Sequence, residues 1–162
     1  TIPIMYQLGT ERRPVPIAAA AFAGEYGVGE KGIKNMLQRK ILIVEDNELN
    51  REIAVEIIGS TGVSIDTAVN GLDAVNIVSQ STEGFYQMIL MDIQMPVMDG
   101  YEATRQIRSL KRADIRNIPI VAMTANAFSE DVTNAIKAGM NYHLAKPIDL
   151  AALMGVLNKY LQ

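Results

Sequence analysis

The stretch KILIVEDN, residues 40–47, runs four aliphatic residues, Ile41 to Val44, directly into two acids, Glu45 and Asp46. A short, near-continuous apolar run suits a strand covered on both faces, the situation of a parallel sheet between two layers of helices. The pattern recurs at Val63–Ala68, Gln87–Met91, Ile118–Met123 and Tyr142–Ala145. Apolar residues at helical spacing fill the intervals: Leu49, Ile53, Ile57 and Ile58, then Ala74, Val75 and Val78, then Ala103, Ile107 and Leu110. Leu150, Leu153, Met154, Leu157 and Leu161 form a last stripe, with Asp149 placed to cap it. Turn formers separate the elements at Asn70-Gly71, Ser81 to Gly84, Asp99-Gly100 and Gly139. Five such strand–helix cycles predict an α/β fold, a doubly wound five-stranded parallel sheet with helices on both faces.

At 162 residues the chain can hold one domain with a hydrophobic core but not two ordinary ones, and 49% apolar with 20% charged residues is a globular balance. A formal charge of −3 offers no basic field to a phosphate backbone, so nucleic acid is not expected as a direct partner. The arginines and lysines from Arg105 to Arg116 read as a solvated helix face. Absence of cysteine excludes disulfides and thiolate chemistry and suits a reducing compartment, which makes the cytoplasm the expected location. Ile17–Ala23 is too short to span a bilayer, and Pro14 and Pro16 break the chain just before it, so no membrane contact is expected from this segment. Residues 1–38 stand outside the strand–helix cycle, with Pro14, Pro16, the alanines 18–21 and Gly24, Gly27, Gly29 and Gly32. They are expected to form a linker or extra element, ending in a short helix around Lys34–Arg39, before a domain of residues 39–162.

Three acids fall at carboxyl ends of expected strands: Glu45 and Asp46 after the first, Asp92 after the third. In the flavodoxin-like strand order 2-1-3-4-5 those strands are neighbours, and the acids converge where such sheets bind ligands. Crowded carboxylates repel one another unless a cation joins them, and hard oxygen donors suit Mg2+. Thr124 after the fourth strand and Lys146 after the fifth add a hydroxyl and an ammonium. Such a set fits the oxygens of a transferring phosphoryl group, with Asp92 as the nucleophile that forms an acyl phosphate and Mg2+ and Lys146 neutralising charge. Taken singly these residues have plainer readings: solvated turn acids, a helix cap for Thr124, a solvated lysine. Their convergence at one end of the sheet favours the chemical reading. A calcium loop starting at Asp92 fails, because its twelfth position is Ala103 where a bidentate glutamate is required.

Glu45-Asp46-Asn47 behind ILIV, MDIQMPVMDG at 91–100, MTANA at 123–127 and LAKPI at 144–148 together resemble the response-regulator receiver family over roughly residues 39–162. The resemblance implies that Asp92 accepts the phosphoryl group, and that Asp46, Asp92 and the backbone carbonyl of Gln94 ligate Mg2+ directly while Glu45 holds it through water. It further implies that Thr124 turns toward the phosphoryl group, that Lys146 is the lysine of the motif, and that the bond between Lys146 and Pro147 is cis. The donor it implies is a phosphohistidine on a histidine kinase or a histidine phosphotransfer protein. Phosphorylation would shift a face made by the fourth helix, fifth strand and fifth helix, a face through which a dimer would also form. Three residues before Lys146, where the family has an aromatic residue that swings inward, this chain has His143 after Tyr142; either His143 performs the switch or the coupling differs. The wording Asp46-Asn47, Leu49-Asn50-Arg51 and MTANA is most similar to receivers of hybrid histidine kinases. The expected setting is therefore the C-terminus of such a kinase, tethered to a membrane sensor in the parent chain, and a start at Thr1 fits an excerpt. A receiver promotes its own phosphorylation and dephosphorylation without being a turnover enzyme.

Two other classes compete. A receiver-like binding module without phosphorylation would lack at least one of the acceptor, acids, hydroxyl and lysine, all of which are here. Gly27, Gly29 and Gly32 fit G-x-G-x-x-G, with Glu45 or Asp46 near the distance of the ribose-binding acid of a dinucleotide site. That motif should follow a strand at once, yet Gly24, Glu25 and Tyr26 intervene after the alanine run, and the rest of the chain would be unexplained.

Overall fold

In a computed structural model of the protein, residues 5–8, 11–14, 31, 37–125 and 129–161 are described. Two short strands, β1 (Met5–Leu8) and β2 (Glu11–Pro14), pair antiparallel. The main sheet comprises β3 (Lys40–Val44), β4 (Ser64–Ala68), β5 (Met88–Asp92), β6 (Ile120–Thr124) and β7 (Tyr142–Ala145), all parallel, in the spatial order β4-β3-β5-β6-β7. Counted within that sheet, the order is the expected 2-1-3-4-5. Around it pack α1 (Glu48–Gly59), α2 (Gly71–Gln80), α3 (Gly100–Ser109), the single turn α4 (Ala113–Arg116), α5 (Ser129–Ala138) and α6 (Leu150–Leu161). No helix among the described residues is long and apolar enough to cross a membrane.

Side chains alternate across a strand, so each central strand feeds two cores. Ile41, Ile43, Met88, Leu90, Val121 and Met123 face one side, where they meet Ala54 and Ile58 of α1 and Leu153, Met154, Leu157 and Leu161 of α6. Leu42, Val44, Ile89, Met91, Ile120 and Ala122 face the other, against α2, α3, α5 and Ile115 of α4. This double burial is why β3, β5 and β6 are almost uninterrupted apolar runs, whereas the edge strands β4 (SIDTA) and β7 (YHLA) carry polar residues. The methionines follow the same rule: Met88, Met91 and Met123 are buried, and Met95 and Met98 pack half-buried on the second core.

Short polar side chains start the helices, Asp149 as the sequence suggested, Asn70 and Asp99 at positions read there as turns, and Asn47 without a reading as a cap. Asn47, Asn70, Asp99 and Asp149 each accept the backbone N–H three residues on, at 3.0, 2.8, 2.8 and 3.1 Å. Strand limits differ by one or two residues from expectation. β6 begins at Ile120 and not Ile118, since Pro119 has no N–H to give; its carbonyl accepts from Ile89 at 2.9 Å.

Two expectations need correction. The residues from Arg105 to Arg116 are not one solvated helix face: α3 ends at Ser109, α4 is separate, and two of the arginines turn inward. Arg108 donates to the carbonyl oxygens of Gly139 (2.9 Å) and Ile115 (2.9 Å) and to Asn141 Oδ1 (2.8 Å), while Arg112 donates to those of Val78 (2.9 Å) and Ser81 (2.8 Å) and pairs with Asp114 at 2.7 Å. Both guanidinium groups tie helix ends and loops together through backbone carbonyls, that of Val78 being shared with Ser81. In α1 the helical spacing is right but the stripe is not wholly buried; Ala54 and Ile58 face the core, while Leu49 and Ile53 are 64% and 47% exposed. Of the expected helix at Lys34–Arg39, residues 34–36 lie outside the described residues; Leu37 is helical and packs against the first core. Gly27, Gly29 and Gly32 also lie outside them.

Glycine is obligatory where α3 meets β5. A Cβ on Gly100 would stand 2.2 Å from the carbonyl oxygen of Asp92, whereas one on Gly155, in mid-α6, would meet nothing within 4 Å. Gly100→Ala is therefore expected to cost more than about 3 kcal/mol and to disturb the backbone of Asp92, and Gly155→Ala to gain about 0.5–1 kcal/mol. Urea denaturation of the two variants checks both; equal effects would contradict the packing described.

Candidate functional site

Register brings the site together. β3 and β5 pair with Val44 opposite Met91, so the next residues, Glu45 and Asp92, emerge side by side. Asp92 in turn pairs with Met123, placing Thr124 one step beyond on β6. Thr124 pairs with Ala145, the last residue of β7, and Lys146 follows directly. Acid, acid, hydroxyl and ammonium thus line one end of the sheet because four parallel strands stop at nearly the same level.

Three carboxylates gather there: one oxygen each from Glu45, Asp46 and Asp92 lie within 4.8 Å of one another. Glu45 and Asp92 are buried, Asp92 to 5% exposure, whereas Asp46 opens to solvent. Lys146 reaches across from β7 and pairs with Glu45 Oε2 at 2.6 Å and Asp92 Oδ1 at 3.1 Å. Asp92, Gln94, Thr124, Ala125, Asp131 and Lys146 line a small cleft above the sheet. Thr124 is buried, and its carbonyl accepts from the Lys146 N–H at 2.8 Å. The Lys146–Pro147 peptide bond is cis, as the resemblance implied.

Burial is the chief cause that pushes Asp92 above the ordinary carboxylate value, up to about 6; Lys146 opposes it, and Glu45 and Asp46 reinforce it. Burial also pulls the Lys146 ammonium down, but its bonds to Glu45 and Asp92 outweigh that and hold it above its usual range. The cleft therefore carries more negative charge than its lysine balances. Its donor set is entirely oxygen, partly buried and open to water through Asp46, which fits a hard divalent cation such as Mg2+.

His143 lies apart from this cleft. It is half-buried on β7 beside Ala122, stacked on Tyr142 with ring centroids 5.6 Å apart, and borders a groove with Val132, Ile136 and Met140. Two neighbours of the cleft escaped sequence reasoning. Arg51, at the end of the first turn of α1, donates to the Glu45 carbonyl at 3.0 Å and steadies the acidic loop. Asp131 of α5 lines the cleft and accepts a bond from the Tyr101 hydroxyl at 3.3 Å. Neither stands in a motif, and a lone arginine or aspartate on a helix reads as surface charge.

Residues 41–158 match the model of the response regulator receiver domain. Among curated relatives, hybrid signal transduction histidine kinase L of Dictyostelium discoideum is 37% identical over 122 residues, which are 75% of this chain and 7% of that protein. Sensor histidine kinase RcsC of Salmonella typhi is likewise 37% identical over 75% of this chain and 12% of its own length, so the chain spans only a small part of these relatives. Among solved structures, the receiver domain of a Pseudomonas aeruginosa sensor histidine kinase, with magnesium ion coordinated in its active site cleft, is 39% identical, with a TM-score of 0.68 over 76% of this chain and 97% of that one. A Saccharomyces cerevisiae receiver domain, crystallised with the histidine phosphotransfer protein upstream of it, is 34% identical, with a TM-score of 0.67 over 76% of this chain and 88% of the matched chain. Sheet order, the acids at the ends of β3 and β5, and these matches agree, and the chain belongs to the response regulator receiver domain family.

Proposed function

We propose that Asp92 accepts a phosphoryl group from a phosphohistidine in a Mg2+-dependent step of a phosphorelay. The observation that carries this reading is the junction of Glu45, Asp46, Asp92 and Lys146: a buried carboxylate beside two others and one ammonium. An oxygen of Asp92 forms the new bond to phosphorus as the bond from phosphorus to the imidazole nitrogen breaks, its electron pair staying with the imidazole. Asp46, Asp92 and the backbone carbonyl of Gln94 would hold Mg2+ directly and Glu45 through water, and the bound ion supplies charge neutralisation to both reactants. Lys146 contributes the second positive charge, and Thr124 stands in the cleft as the hydroxyl that meets the phosphoryl oxygens. His143 in its groove serves as the switch residue that reports the change to the face of α5, β7 and α6, where a dimer would also form.

The donor is a histidine kinase or a histidine phosphotransfer protein, as in the yeast complex. An apolar groove bordered by Ile53, Ala54, Pro147 and Ile148 opens beside Glu45 and Lys146, and exposed Leu49 extends it, so a protein carrying the phosphohistidine has apolar surface to cover. We place the receiver at residues 39–162, with 1–38 as the connection from a cytoplasmic part of a hybrid histidine kinase.

Incubated with acetyl phosphate and Mg2+, the chain should gain about 80 Da, one phosphoryl group, by intact mass. Asp92→Asn or a chelator should abolish the gain; a gain that survives Asp92→Asn would refute the assignment. A second expectation concerns pH. The folded chain holds the Asp92 proton more tightly than the unfolded chain, so without metal this group's stabilising contribution is full below about pH 4 and is lost as pH rises through about 6. In a chelator, Asp92→Asn should therefore be more stable than the parent by an amount that grows between about pH 4 and 6.5 and levels off near 1–2 kcal/mol, allowing for solvent screening. A stability difference that does not change with pH in thermal melts would contradict it.

A further inference from the structure

Two carboxylates line the cleft among the described residues, those of Asp92 and Asp131, and the transfer reaction gives a part only to the first. Glu45 and Asp46 gather with Asp92 where a cation would sit, whereas Asp131 stands outside that group of three. It comes from another wall of the cleft, the first turn of α5. An acid in the first turn of a helix ordinarily needs no reason beyond the helix dipole, and that reason covers Glu130, its exposed neighbour in the same turn.

Asp131 differs in how it is held. The Tyr101 hydroxyl, on α3, donates to Asp131 Oδ1 at 3.3 Å and lies 3.4 Å from the carbonyl oxygen of the same residue. Tyr101 packs against the second core, so the hydroxyl comes from a fixed ring. Burial, and after it the charge of Asp131, push that hydroxyl above its ordinary value, which keeps it a proton donor. An ionised carboxylate accepts at both oxygens, so a bond to Oδ1 orients Asp131 and leaves it capacity for a water.

The cleft offers about 100 Å3, room for only a few waters, so Asp92, Thr124, Lys146 and Asp131 border the same ones. With a phosphoryl group on Asp92, a water that attacks phosphorus comes from what is left of that space, on the side away from the Asp92 oxygen. Lys146 is paired as an ammonium with Glu45 and Asp92 and has no lone pair to give. Asp131 has one. We propose that Asp131, positioned by Tyr101, takes the proton of the water that hydrolyses the phosphoryl group, and so sets how long Asp92 stays phosphorylated. The water oxygen bonds to phosphorus as the bond from phosphorus to the Asp92 oxygen breaks; its electron pair returns to the Asp92 carboxylate, and the proton passes from Asp131 to the departing phosphate. Forward transfer needs no such acceptor, because Asp92 attacks as a carboxylate. The proposal rests on the reading of Asp92 as the acceptor.

The full chain is labelled with acetyl phosphate and Mg2+, freed of donor by rapid desalting, and followed by intact mass as the phosphoryl group is lost. Asp131→Asn keeps an oxygen for Tyr101 but cannot take a proton; it should melt near the temperature of the parent and lose the group about tenfold more slowly or less readily still. Tyr101→Phe, which keeps the ring and removes the hydroxyl, should slow the loss about two- to fivefold. Glu130→Gln removes the same charge at an exposed position one residue away and should stay within about twofold of the parent. An unchanged loss in Asp131→Asn would overturn the inference, as would equal slowing in Glu130→Gln, which would reduce the effect to net charge. Labelling that quickens as much as the loss slows would also overturn it, since Asp131 would then only repel the phosphoryl group. Failure of the parent to label at all would overturn the acceptor assignment, and this inference with it.

Discussion

Repulsion among the carboxylates of Glu45, Asp46 and Asp92, opposed by the one ammonium of Lys146, is the interaction on which the rest of this molecule turns. Two of those acids are buried, where charge is costly, and the lysine stands on a different strand at the far side of the cleft. Such an arrangement is poor as a means of holding a fold together and well suited to receiving a cation and then an anionic group. The sheet must be stiff enough to bear it. Two apolar layers on opposite faces of β3, β5 and β6 supply that stiffness, and the common level at which the strands stop turns separate sequence positions into one site.

The same economy governs the loops. Gly100 lets α3 start against the Asp92 carbonyl, and Gly71 lets α2 start against the loop of Met98, so the segment following the acceptor is held by backbone contacts on both sides. Arg51 fixes the carbonyl behind the acidic pair. Arg108 and Arg112 bind the carbonyls of Gly139 and Ser81, away from the cleft.

Much of this was legible in the sequence because strong local signals agree with the tertiary structure. Runs such as ILIV and MILM can be buried only on two faces, and the acids Glu45 and Asp92 that close them mark the strand ends where the site forms. Asn70, Asp99 and Asp149 announce helix starts through hydrogen bonds made within a few residues. What could not be read depends on partners distant in sequence. Arg108 looks like any solvated arginine until Gly139 and Asn141 arrive beside it, and Leu49 and Ile53 have core spacing although both are exposed. The left-handed backbone of Val97 leaves no trace in composition, since valine is a residue that this conformation disfavours.

The charge imbalance itself can be measured most directly as the melting temperature of the chain against Mg2+ concentration, in parallel with Asp46→Asn and Asp92→Asn. If the carboxylates form one cation site, the parent's melting temperature should climb with the logarithm of Mg2+ once the site begins to fill, and both variants should stay nearly flat over the same range. Equal climbs in all three proteins would mean that Mg2+ only screens surface charge, and would contradict the assignment of Glu45, Asp46 and Asp92 as a metal-assisted phosphoacceptor site.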